Sequence, residues 1–344
     1  MTKPRILIDD CIPFIRGVLD RVADVRYVPA AGFTPEFVAA ADALIVRTRT
    51  RCDAALLADS SVKFVATATI GFDHIDTDFC RQRGIAWTNA AGCNAESVAQ
   101  YVASALSAWA QRSQCDLRTQ TLGVVGVGHV GTAVVRVAKL LGMNVLCNDP
   151  LRNEPDFVSI DEVAARADVV TFHTPLTRSG TFATYHLAHA DFFERCLRKP
   201  LIINAARGGV VDERALLAAK QSGCIAAYVL DCWEGEPQIA ADVLQSAFIA
   251  TPHIAGYSAD GKANATTMAV QAVSRFFGLG LDDFVVAALP PKSVCRCTRA
   301  ELPSRMLAAY DIMADDARLR CAPASFEQQR SHYPMRREVV WHVD

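Results

Sequence analysis

Three side chains of the 344-residue sequence could work together on a proton and an anion: Arg207, Glu236 and His253, separated by 29 and 17 residues. Removing hydride from an alcohol carbon needs a base for the hydroxyl proton, and histidine suits that task near neutral pH. A carboxylate beside the histidine orients its ring and favours the imidazolium. An arginine meets a substrate carboxylate, or a new carbonyl, with two N–H groups at once. Taken singly, each has a bland reading: a surface arginine, a capping glutamate, a loop histidine. Position groups them, since each falls just past an apolar, strand-like run. His173, His186 and His189 are rival histidines without that order.

The element that must organise these residues is Leu122 to Asp149. An apolar β-branched run (Leu122, Val124, Val125) ends in Gly126-Val127-Gly128-His129-Val130-Gly131. Val130, Val134, Val137, Ala138 and Leu141 then recur at helical spacing, and Val145-Leu146 opens a second strand ending at Asp149. Gly126 permits the tight turn, Gly128 lets backbone approach a pyrophosphate, and Gly131 lets helix and strand pack closely. The helix N-terminus offers unpaired N–H groups to phosphate. Asp149, 18 residues past Gly131, is placed to take the ribose hydroxyls of an adenosine. The bland alternative is a βαβ unit whose glycines serve packing alone.

The alternation continues on both sides. Strands are expected at 168–172, 200–204, 226–230 and 248–250, which with the first two make a parallel sheet of about six. Earlier strands are expected at 5–8, 43–46 and 63–66, with a helix over 13–22. Thr48 and Thr69 sit just past two strand ends, where ligands of such sheets bind. Single threonines there more often satisfy a turn. Long helices are expected over 94–111, with Asn94 as cap, and 258–277, with Ser258 as cap. The chain thus divides into residues 1–93 with 256–282, residues 94–255, and a tail, 283–344. Apolar Met306, Leu307, Tyr310, Ile312 and Met313 in so short a tail predict a homodimer.

Composition excludes other classes. A net charge of −2 carries no basic excess for nucleic acid or an anionic membrane surface. No segment has the length and apolarity of a membrane span, and the N-terminus lacks the apolar core of a signal peptide. Twelve scattered cysteines without a CxxC predict reduced thiols, a cytoplasmic setting and no metal. Neither repeats nor low-complexity tracts occur.

The motifs resemble the D-isomer-specific 2-hydroxyacid dehydrogenases: Gly126 to Gly131 with Asp149, Ala206-Arg207-Gly208-Gly209-Val210-Val211-Asp212, Asp231-Cys232-Trp233-Glu234-Gly235-Glu236-Pro237, and Thr251-Pro252-His253-Ile254-Ala255-Gly256. The resemblance implies an α/β fold of two doubly wound parallel-sheet domains, a flavodoxin-like catalytic domain and a Rossmann NAD domain, plus a small C-terminal α+β dimerisation domain. It also implies His253 as acid/base, Glu236 as its partner and Arg207 as carboxylate holder. NAD would be held by Gly126, Gly128, His129, Val130, Gly131, Asp149 and Ala206, with Thr174, Asp231 and Gly256 towards the nicotinamide.

Thr67-Ala68-Thr69, Gly92-Cys93-Asn94-Ala95, Phe172 to Leu176, Gly256-Tyr257 and Arg336-Arg337-Glu338 resemble one subgroup in particular. That subgroup acts on a phosphorylated four-carbon 2-hydroxy acid in vitamin B6 biosynthesis and dimerises through its tail. By this resemblance Thr48, Thr69 and Tyr257 would contact substrate. The subgroup commonly has serine where Thr48 stands, and it usually runs further past Arg336-Arg337-Glu338. For the phosphate, Arg47, Arg49 and Arg51 alternate past a strand end, and Ser258 with Lys262 opens a helix; Arg336 and Arg337 are the fallback. Rival expectations are a phosphoglycerate or glyoxylate/hydroxypyruvate type dehydrogenase, and an NAD-sensing corepressor, a class that shares the fold and all three residues. The dimerisation-like tail speaks against the corepressor.

Overall fold

A computed structural model of the chain describes residues 3–152 and 154–344. The chain forms two compact units: residues up to Asn94 together with Ser258–Pro291, and Ala95–Tyr257 together with Lys292–Asp344.

The first unit holds five parallel strands, β1 (Arg5–Asp9), β2 (Asp24–Val28), β3 (Ala43–Val46), β4 (Phe64–Thr67) and β5 (Ala86–Asn89). Their order is β2-β1-β3-β4-β5, the doubly wound flavodoxin-like arrangement. Alternate residues serve opposite faces. Ile6, Ile8, Ile45 and Ala66 pack with Val270 and Val273 of the helix Ala259–Phe277. Leu7, Leu44, Val46 and Val65 pack on the other side with Leu56, Leu57 and Cys80. Strands buried on both faces read as unbroken apolar runs, which is why β1, β3 and β4 are visible in the sequence. β2 and β5 are the sheet edges, half exposed, and carry no such run.

Residues 13–22 differ from expectation. They form successive turns instead of a helix. Phe14 and Gly17 lie at φ +62° and +85°, which no right-handed helix accommodates. Tyr27 Oη accepts the Gly17 N–H at 2.6 Å, while Ile15 and Leu19 are still buried.

The second unit holds six parallel strands, β6 (Thr121–Val125), β7 (Asn144–Asn148), β8 (Val169–Phe172), β9 (Leu201–Asn204), β10 (Ala227–Leu230) and β11 (Ile249–Ala250), in the order β11-β10-β9-β8-β6-β7. The chain leaves β6 towards β7 on one side and returns to β8 on the other. The glycine turn after β6 therefore lies at the topological switch point, where such sheets bind ligands. The helix Ala95–Ser113 is buried along most of its length and packs with Leu122, Val124, Val134 and Val137. The cap expected from Asn94 is not made, for its Oδ1 is buried without a hydrogen-bond partner.

The tail adds helices Leu302–Ala309, Ile312–Cys321 and Phe326–Ser331, and two parallel strands, β12 (Ser293–Cys297) and β13 (Val339–Val343). Leu302, Met306, Tyr310 and Ile312 share the core of the helix Ala95–Ser113. Met306, Tyr310 and Ile312, expected to await a partner, are thus covered by their own chain; Met313 is 40% exposed. All twelve cysteines are free thiols. Among the described residues no helix is long and apolar enough to cross a membrane.

Candidate active site

The loops after β9, β10 and β11 carry Arg207, Glu236 and His253. Asn204, fully buried at the end of β9, shapes the first loop: its Nδ2 donates to Arg207 O at 2.9 Å and its Oδ1 accepts from Ala206 N at 3.1 Å. Gly208 is required there, since a Cβ would lie 2.0 Å from Trp233 O of the next loop. Glu236 is fixed by its own turn, with Oε1 accepting the Trp233 N–H at 2.7 Å. The Trp233 indole N–H donates to Thr251 O at 2.9 Å and so ties the second loop to the third.

His253 and Glu236, 17 residues apart, meet through His253 Nδ1 and Glu236 Oε2 at 2.8 Å. A carboxylate accepts, so Nδ1 carries the proton and Nε2 is left with its lone pair. Burial pushes the Glu236 carboxyl up, but the His253 hydrogen bond and charge, the Trp233 N–H and the charge of Arg330 outweigh it. The carboxyl is held below its ordinary range and stays ionised. Asp231, at the end of β10, is fully buried, and burial pushes its carboxyl up. Its oxygens accept from Thr251 Oγ1 and Ile254 N, both at 2.7 Å, and from Ala255 N at 2.9 Å. Cys232 lies within metal-ligating distance of Glu236 and His253. Its Sγ is a donor to Ala206 O at 3.3 Å, and burial raises the thiol far above its usual range.

The glycine turn fits a dinucleotide. Gly126 sits at φ +87°, and a Cβ on Gly131 would fall 2.1 Å from Gly126 O. A Cβ on Gly128 would meet nothing within 4 Å, so the turn leaves open space at that point. The helix His129–Leu140 begins there without a side-chain cap, so its first N–H groups remain for an anion. Thr174 packs its methyl against the turn and keeps a buried, unpartnered Oγ1. Asp149 accepts from Val127 N at 2.9 Å and Leu151 N at 3.1 Å. Arg152 is engaged by Val127 O at 2.5 Å and Glu154 at 2.7 Å.

Arg207, Glu236, His253, the residues expected to hold NAD and Tyr257 all belong to the second unit, while Thr48 and Thr69 belong to the first. Thr48 is exposed. Thr69 ends a polar chain: His74 Nε2 bonds Thr67 Oγ1 at 3.1 Å, Thr67 Oγ1 bonds Thr69 Oγ1 at 2.7 Å, and Thr69 donates to Gly71 O at 2.9 Å. Arg47 makes two 3.0 Å bonds to Asp9, whose side chain is fully buried. Lys262 is pulled down by burial and by the charge of Arg47. Arg336 is committed to backbone carbonyls, Ile254 O among them. Asp9 and Asn204 were not singled out in the sequence, although each is a polar residue closing an apolar strand. Arg336 is a fallback for phosphate by sequence, and nothing in its sequence surroundings points to carbonyl partners.

The profile described as "D-isomer specific 2-hydroxyacid dehydrogenase, NAD binding domain" matches residues 94–255. The chain belongs to the D-isomer-specific 2-hydroxyacid dehydrogenase family and carries its NAD-binding domain. Within the family it is 48% identical to the erythronate-4-phosphate dehydrogenase of Bacteroides fragilis over 339 residues, 97% of each chain. It is 40% identical to the Escherichia coli enzyme of the same name, covering 97% of this chain and 92% of that one. Among solved structures, the D-lactate dehydrogenase of Aquifex aeolicus complexed with NAD and lactic acid has a TM-score of 0.67 at 25% identity, covering 83% of this chain and all of that one.

Proposed function

We propose that the chain oxidises 4-phospho-D-erythronate at C2 to 3-hydroxy-2-oxo-4-phosphooxybutanoate, a step towards pyridoxal 5'-phosphate. The observation that carries the reading is the 2.8 Å pair of His253 Nδ1 with the ionised Glu236, which frees Nε2 as a base. His253 Nε2 takes the C2 hydroxyl proton, and Glu236 stabilises the imidazolium that forms. Arg207 holds the substrate carboxylate. Bound NAD supplies the acceptor for the C2 hydride. Thr174, with its unpartnered hydroxyl, together with Ala206, Asp231 and Gly256, lines the nicotinamide side. Thr48, Thr69 and Tyr257 contact the rest of the substrate. The names of the Bacteroides fragilis and Escherichia coli relatives support the choice of acid.

The test follows NADH across a panel: its formation with 4-phospho-D-erythronate, unphosphorylated D-erythronate and 3-phosphoglycerate, and its consumption, in reverse, with glyoxylate and hydroxypyruvate. The phosphorylated four-carbon acid should have the highest kcat/KM by at least an order of magnitude. A higher value for 3-phosphoglycerate or hydroxypyruvate would assign the chain to another member of the family. No turnover with any of them, with NAD still bound, would favour a sensor role.

The enzyme is a cytoplasmic homodimer in this reading, with the tail at the interface. Val294, Met313, Met335 and Val340 are among the exposed apolar residues there. Light scattering should give twice the 37.3 kDa chain mass. A monomer at micromolar concentration refutes the assembly and leaves the chemistry standing.

A further inference from the structure

The turn that carries His253 and Tyr257 is held from two directions, and the second direction is the tail. His253 sits at φ +55°, a conformation that costs a non-glycine residue energy and needs outside support. The N–H groups of His253, Ile254 and Ala255 are taken from the β10 side. His253 N donates to Asp231 O at 2.8 Å, and the next two amides donate to the Asp231 carboxylate. The Ile254 carbonyl, which also accepts the Tyr257 N–H at 2.9 Å, and the Ala255 carbonyl are reached from the other side. Arg336 Nη1 donates to Ile254 O at 3.2 Å, and Nη2 donates to Ala255 O at 2.5 Å. Ser97 Oγ adds a bond to Ala255 O at 2.9 Å, and Arg336 Nη2 also reaches Ser97 O at 3.2 Å.

Arg336 is itself fixed. Its guanidinium lies 4.2 Å from the centre of the Tyr310 ring. Tyr310 and Tyr333 both donate to Asp315 Oδ2, at 2.8 and 2.7 Å. The Tyr333 ring meets the Tyr257 ring edge-on, with centres 6.2 Å apart. One residue further along the chain, Asp316 accepts the Ala250 N–H at 2.7 Å and is clamped by Arg320. A tail that served assembly alone would have no need to reach carbonyls one and two residues from the acid/base.

We propose that the tail is part of the catalytic half of its own chain: Arg336 is a positioning residue that fixes the His253–Tyr257 turn by bridging Ile254 O and Ala255 O, and Tyr333 sets the Tyr257 ring. The proposal rests on the reading of His253 as acid/base and Tyr257 as a substrate contact. Two carbonyls one residue apart suit the planar fork of arginine. Lysine keeps the charge but presents a single point and cannot span both. The charge of Arg330, also from the tail, reaches Glu236 and helps keep it ionised.

The experiment compares wild type, Arg336→Lys, Tyr333→Leu and Tyr333→Phe as full-length proteins. Arg336→Lys should lower kcat about ten- to a hundredfold, the cost of a charge-assisted bond, while NAD affinity by tryptophan quenching stays within about twofold. Histidine ring NMR without substrate, assigned through His253→Gln, should show the His253 signals moved in Arg336→Lys. That readout needs no turnover, so it separates failure of this proposal from failure of the assigned reaction. Unmoved His253 signals with wild-type kcat overturn it. Should Arg336→Lys not fold, the Tyr333 pair decides: Tyr333→Leu should raise KM for the acid with kcat largely kept, and Tyr333→Phe, which keeps the ring, should recover most of that loss. Equal KM values in the two variants overturn the proposal.

Discussion

Glu213 offers a stability measurement whose sign follows from the structure. It is the first residue of the helix Glu213–Ser222 and is 4% exposed. Its Oε1 accepts the Glu234 N–H at 2.6 Å, inside the loop that leads to Glu236. Burial pushes its carboxyl from an ordinary 4.5 up to about 7, and the charges of Glu234 and Glu236 add to this. A carboxyl raised on folding is held protonated by the native state while the unfolded chain has lost its proton. Stability therefore falls as pH rises from about 4.5 to about 7 and is level above that. At about 1.4 kcal/mol per pH unit, the loss is at most about 3.5 kcal/mol. Glu213→Gln keeps an acceptor for the Glu234 N–H and cannot ionise. Urea unfolding followed by tryptophan fluorescence at pH 5, 6, 7 and 8 should show wild type losing stability across this range relative to the variant, which becomes the more stable protein at pH 8. Parallel curves for the two proteins, or a variant weaker at pH 8, would refute the account of Glu213 as a buried carboxyl carrying this penalty.

His253→Ala should reduce kcat about 10²–10⁴-fold, and Glu236→Gln less, because only orientation and charge stabilisation are lost; near-normal kcat in His253→Ala would move the acid/base role elsewhere. Asp149 would repel a 2'-phosphate, and Arg152 is engaged by Val127 O and Glu154, so kcat/KM should favour NAD strongly over NADP; comparable values for the two cofactors would remove that role. For the substrate phosphate, Arg47→Ala or Lys262→Ala should raise KM for 4-phospho-D-erythronate roughly ten- to a hundredfold and leave that for D-erythronate nearly unchanged, while equal effects on both acids would exclude these residues.

What the sequence showed depended on whether a feature has a one-dimensional signature. β3, β6, β8 and β9 are buried runs dominated by apolar residues, and the glycine turn with Asp149 is a spaced pattern; these were legible residue by residue. Edge strands β2 and β5 alternate weakly and were missed. The turns over 13–22 looked helical because Phe14, Val18 and Leu19 share helical spacing, and nothing in spacing reveals a positive φ at Phe14. The His253–Glu236 contact could be placed at one sheet edge from strand order, but its 2.8 Å geometry depends on Trp233 holding the loops together. Side chains whose partners are backbone carbonyls, Arg336 above all, leave no pattern at all.

Each compact unit is sewn from two separated lengths of chain: 3–94 with 258–291, and 95–257 with 292–344. During synthesis, N-terminal residues emerge first and begin to collapse as they appear. Here the five-stranded sheet must wait for the helix Ala259–Phe277 before one of its faces is covered. The six-stranded sheet is already out of the ribosome by then, but the helix Ala95–Ser113 still lacks Leu302, Met306 and Ile312. The order of translation is therefore out of step with the order of closure. Two half-finished cores coexist on the nascent chain until the helix Ala259–Phe277 emerges, and a truncation between that helix and Leu302 closes the older one while leaving the younger unsealed, as a substrate for chaperones and proteases.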